Sequence, residues 1–78
     1  MTSMTDLVTA IITPLVEHPE EIRVTETGDG SVITVEVRVA PDDMGRVIGK
    51  GGRVINAVRT VVKAAATKRN IKVFVEVV

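Results

Sequence analysis

Apolar and polar positions change their period several times along this chain, and each change marks an element. Over residues 5–17, Leu7, Val8, Ile11, Ile12 and Leu15 fall at the spacing that lays one apolar stripe along a helix. Thr5 or Asp6 is placed to cap its start. Pro14 lacks a backbone donor and is expected to kink or shorten the last turn. His18-Pro19 marks the exit. The period then drops to two. Ile22 and Val24 alternate with Arg23 and Thr25. After Thr27-Gly28-Asp29-Gly30-Ser31, residues Ile33, Val35, Val37 and Val39 alternate with Thr34, Glu36 and Arg38. β-Branched residues at period two predict strands, and the Gly-Asp-Gly connection folds the pair into an antiparallel hairpin. One face of the pair is apolar and the other polar, so one side of the sheet is expected to be covered.

Helical spacing returns at Pro41-Asp42-Asp43. Proline suits a first helical turn, and the two carboxylates favour the positive end of a short helix over residues 42–48, which Gly49 ends. A second helix runs from Gly52 or Arg53 to Lys68, with Val54, Ile55, Val58, Val61, Val62 and Ala65 at apolar positions. Residues 71–78 alternate again: Ile71, Val73, Val75 and Val77 point one way, Lys72, Phe74 and Glu76 the other. The order α-β-β-α-α-β predicts an α+β domain, a three-stranded mixed sheet with three helices packed on one face. The helical crossover into the last strand is expected to be right-handed, with the second and third strands parallel if they are neighbours.

Composition narrows the functional classes. Seventy-eight residues make a single domain, 1–78, with a modest core. Without cysteine there is neither a disulfide framework nor a thiolate metal site. No run approaches the roughly 18 apolar residues of a membrane span. The N-terminus lacks the basic start of a signal peptide, so a cytoplasmic location is expected. A net charge of zero conceals a division. Residues 1–43 carry two arginines against nine carboxylates, a net −7, and residues 44–78 carry eight cations against Glu76 alone, a net +7. Charge separated in this way argues for an anionic partner.

The cationic half contains Val47-Ile48-Gly49-Lys50-Gly51-Gly52-Arg53-Val54-Ile55. Glycine costs about 1 kcal/mol relative to alanine inside a helix. Three glycines in four positions therefore mark a turn that needs positive φ or close approach by another molecule. The following helix aims its N-terminal amides, and their positive dipole, at that turn. With Lys50 and Arg53 beside it, the visitor is an anion.

This stretch resembles the signature of KH domains: an aliphatic pair, a GXXG loop, then an aliphatic position three residues on. The element order is similar to the type II, bacterial KH arrangement. The length resembles that of the small single-KH RNA-binding proteins of bacteria, the KhpA family, and the resemblance covers essentially the whole chain. It implies that Gly49, Lys50, Gly51 and Gly52 meet the backbone of about four nucleotides of single-stranded RNA. It also implies that Arg46 and Arg53 touch phosphates, and that Val47 and Ile48 help to form the groove on which bases lie. Implied partners are a second copy of the chain and a larger, multidomain KH-containing protein. Phe74 is the sole aromatic, so stacking is scarce; modest affinity, weak sequence preference and strong salt dependence follow. That profile suits a post-transcriptional regulator or RNA chaperone.

Other chemistries find little support. Gly45 to Gly51 is one residue short of a nucleotide-binding P-loop and has Gly51 where the magnesium-binding hydroxyl belongs. His18, the only histidine, sits in an acidic turn far along the chain from the glycines, as an exposed loop residue. No residues have metal-ligand spacing. No catalytic role, cofactor, metal, small-molecule substrate or membrane partner is expected. The competing reading is a protein-interaction or dimerisation module whose glycine turn merely lets helices pack.

Overall fold

The computed structural model describes residues 3–78. The first helix, α1, spans Met4–Ile12 and buries Met4, Val8 and Ile12, one residue per turn on one face. Its cap is Ser3 rather than Thr5 or Asp6: the Asp6 amide donates to Ser3 Oγ at 3.0 Å. The helix also stops short of residue 17. Thr13–Leu15 tighten into a 3-10 turn around Pro14, the shortening expected where proline cannot donate.

A second 3-10 turn, Pro19–Glu21, leads into β1 (Arg23–Gly28), which pairs antiparallel with β2 (Val32–Arg38). The hairpin turn is closed by Asp29, whose Oδ1 accepts from the amides of Ser31 and Val32 at 3.0 and 3.1 Å. The Ser31 amide foremost holds the Asp29 carboxyl below the usual carboxylate range. The last strand, β3 (Lys72–Val77), lies parallel to β2, with Ile33 opposite Val73 and Val37 opposite Val77. The sheet order is β1-β2-β3, so the sheet is mixed and β3 is an edge.

Alternation along the strands sorts their faces as the sequence indicated. Val35, Val37, Val73 and Val75 are buried beneath the helices, while Phe74 and Glu76 are exposed. Two further helices, α2 (Met44–Ile48) and α3 (Arg53–Lys68), complete that layer. From α3 come Ile55, Val58, Val62 and Ala66; from α2 comes Val47; together with the α1 residues they form one apolar core.

The start of α2 departs from expectation. Pro41–Asp43 form a 3-10 turn of their own, and Asp43 gives α2 no side-chain cap. Asp43 is instead fully buried, at 0% exposure. Its carboxylate crosses to the connection between α1 and β1, where Oδ1 accepts from the Glu17 amide at 2.9 Å and Oδ2 from the His18 amide at 3.0 Å. An isolated buried carboxylate is costly, whereas one given two amide donors is held in its charged form. Asp42, its neighbour, stays exposed.

Candidate nucleic-acid interface

The glycine turn joins α2 to α3 and owes its shape to glycine. Gly49 takes φ 77°, ψ 167°, a conformation essentially reserved for glycine. A Cβ there would also lie 2.5 Å from Val54 Cγ2 and 2.8 Å from its amide nitrogen. Gly49 is thus bare because the start of α3 packs directly against it. Lys50–Gly52 make a 3-10 turn in which the Gly52 amide donates to the Gly49 carbonyl at 3.1 Å. Gly51 sits at φ 66°, ψ 19° in open space, with nothing a side chain would strike. Only backbone conformation demands glycine at that position. Gly51→Ala should therefore cost about 1 kcal/mol of stability, read as a shifted midpoint in urea unfolding.

Lys50 and Arg53 are exposed on either side of Gly51 and Gly52. Three ion pairs join the described residues, and neither cation takes part in any of them. The bare turn, the N-terminal amides of a sixteen-residue helix and two unpaired cations thus converge on one place. That combination draws and holds an anion.

The remaining residues singled out from sequence are placed less uniformly. Arg46 directs its guanidinium back toward the α1–β1 connection, 2.7 Å from Glu17 Oε1 and 3.5 Å from Asp43 Oδ1. It remains half-exposed, so a phosphate reaching it would compete with Glu17. Val47 has no exposed surface; it holds α2 to the core from beneath. Ile48, 36% exposed, presents an apolar side chain next to the turn.

Sequence reasoning passed over Asn56 and Arg59. The Cβ position of Gly52 lies 3.6 Å from Asn56 Nδ2. Asn56 Oδ1 accepts from Arg59 Nη1 at 3.2 Å, and Arg59 Nε donates to the Val75 carbonyl at 3.1 Å. Their spacing from Gly52 along one helical face was the available signal. His18 is half-buried rather than exposed, and its ligand atoms fall within 4.8 Å of those of Glu20 and Glu21. Proximity across a single 3-10 turn accounts for that grouping by local geometry.

A mixed three-stranded sheet with helices on one face, two of them joined by a GXXG turn, defines a KH-type domain. The family model described as "KhpA/KhpB, KH domain" matches residues 5–77, and the chain belongs to that family. A protein named "RNA-binding protein KhpA" from Clostridium perfringens is 51% identical over 75 residues, which span 96% of this chain and 100% of that protein. Another of the same name, from Clostridium acetobutylicum, is 51% identical over 76 residues, again 96% and 100% of the two chains. A third, from Listeria monocytogenes, is 40% identical over 75 residues, covering 96% and 99%. Among solved structures, Aquifex aeolicus Era bound to GDP and aluminium fluoride matches with a TM-score of 0.70 at 19% identity. That match covers 96% of this chain and 30% of Era, and it speaks to the fold alone.

Proposed function

We propose that this chain is an RNA-binding protein that grips single-stranded RNA at the turn Gly49-Lys50-Gly51-Gly52. The observation that carries this reading is the pair of unpaired cations, Lys50 and Arg53, beside a side-chain-free turn at the start of α3. The printed names of the full-length relatives support RNA as the ligand. In this reading the sugar-phosphate backbone lies against the glycine main chain, Lys50 and Arg53 neutralise phosphates, and Ile48 supports a base. Arg46 joins by exchanging Glu17 for a phosphate. Residues 1–78 act as one KH unit without a catalytic step.

Backbone contacts carry little sequence information, so low specificity follows, consistent with a general regulator or RNA chaperone in the cytoplasm. No helix is long and apolar enough to cross a membrane. A second KH-containing chain, either another copy or a larger multidomain protein, is the protein partner we propose. The description of the family couples KhpA with KhpB, which supports such a partner. Val61, 50% exposed on α3, is an apolar side chain available to it.

Salt titration of binding to a short, unstructured RNA tests the assignment. A clamp on about four nucleotides engages about three phosphates, so log affinity should fall against log salt with a slope of roughly −2. An affinity that stays flat from about 50 to 200 mM salt would rule out a phosphate-gripping turn.

A further inference from the structure

A groove runs along the seam between α3 and the free edge of β3, beyond the glycine turn. Its near part is lined by Arg59, Lys63, Val73, Phe74, Val75 and Glu76, and it continues past Thr67 and Lys72. Phe74 is the one aromatic of the chain and is 52% exposed. Burial explains the valines on either side of it; nothing in the packing explains an aromatic ring left in water. Three cations, Arg59, Lys63 and Lys72, accompany it against one carboxylate, Glu76. The groove is also continuous with the turn, through Asn56, which reaches toward Gly52 and accepts from Arg59. Asn56, Arg59 and Lys63 repeat at helical spacing, so they form one polar line down α3.

The edge itself argues against a protein strand as the occupant. The outward carbonyl of Val75 is taken by Arg59 Nε at 3.1 Å. A strand adding to β3 would need that acceptor. A cationic trough with an exposed aromatic face suits a nucleobase and its flanking phosphates instead.

We infer that Phe74 is a second subsite for the same strand, where a base stacks on the ring while Lys63 and Lys72 meet neighbouring phosphates. This rests on the RNA-binding reading above and extends it from a clamp at the turn to a track. Lys63 lies ten residues into α3 from Arg53, about 15 Å at helical rise. A strand must therefore be longer than the four nucleotides of the clamp to reach both places.

Octauridylate and tetrauridylate are the probes, used with the full chain. Phe74→Leu should weaken octauridylate binding about 5- to 50-fold and leave tetrauridylate binding unchanged. In Phe74→Trp, octauridylate should quench the tryptophan emission and tetrauridylate should not. Circular dichroism checks that both variants keep the fold, as substitution at an exposed site requires. Gly51→Asp serves as the reference for the turn. Equal octauridylate affinity in Phe74→Leu and the parent, with binding lost in Gly51→Asp, overturns the subsite and leaves the clamp standing. Unchanged affinity in Gly51→Asp overturns the clamp itself. A dimer that becomes monomeric in Phe74→Leu, with RNA affinity intact, assigns the groove to a protein and likewise overturns the proposal.

Discussion

Replacing Lys50 and Gly51 together by aspartate should lower affinity for short single-stranded RNA by about 100-fold or more while leaving the fold intact. The change removes one positive charge and adds two negative ones at the point where the α3 amides converge. Each negative charge there both repels phosphate and satisfies, from within the protein, the amides an incoming phosphate would use. The fold should tolerate the change on two grounds. Lys50 is exposed and unpaired, and aspartate is among the few residues that enter the left-handed region Gly51 occupies. Nothing lies within 4 Å of the new Cβ. Fluorescence anisotropy with a labelled oligonucleotide reads the affinity, and circular dichroism reads the fold.

The same variant separates RNA binding from self-association. If the turn served only to bring helices of two chains together, the double aspartate would shift the oligomeric state and leave RNA binding as it was. The geometry argues against that use of the turn. Gly49 is bare because Val54 of its own chain fills the space, so the closest helix approach at this turn is already intramolecular. Gly51, in contrast, opens onto empty space. The glycine cluster thus divides into one position fixed by packing and another free to receive a ligand.

What could be read from the sequence was the part encoded by local period. Val73 and Val75 are buried and Phe74 exposed because a strand alternates. Gly49 ends α2 and Arg53 begins α3 because glycines at positive φ break a helix there. The turn itself was legible because its chemistry lies in consecutive residues. Contacts that join distant segments were not. Asp43 and Arg46 read locally as a helix-start carboxylate and a cation beside the glycines. Their partners, Glu17 and His18, lie 25 to 29 residues away in sequence, and no periodicity reports such a distance. Ser3 displaced Thr5 and Asp6 as the cap for a simpler reason: α1 begins one residue before the expected start, and several small polar residues compete there. The Asn56–Arg59 line was visible only once Gly52 was fixed as the residue before α3.

Asp43→Asn should produce the largest loss of stability of any single polar substitution considered above, a fall in melting temperature of roughly 10 °C. Both carboxylate oxygens accept from main-chain amides in a fully buried position. An asparagine side chain keeps one acceptor and turns an NH2 group on the other amide, so one donor loses its partner and meets a second donor. The Arg46 guanidinium also loses one of its two anions. The effect extends past the local site, because Asp43 immediately precedes α2 and its partners end the α1 connection. The latch therefore fixes the helix that presents the glycine turn. In the parent protein, the Glu17 amide foremost, then the His18 amide and the charges of His18 and Arg46, hold the Asp43 carboxyl below its ordinary value of 3.8 against the opposing effect of burial. A carboxyl whose pKa is lower folded than unfolded stabilises the fold fully above the unfolded value and loses that contribution as pH falls through the folded one. Melting temperature should accordingly hold from neutral pH down to about pH 4 and fall below it, with Asp43→Asn showing a shallower decline over the same acid range. Thermal unfolding followed by circular dichroism at several pH values measures both. A variant that melts with the parent at neutral pH, or that declines as steeply in acid, would remove Asp43 as the latch.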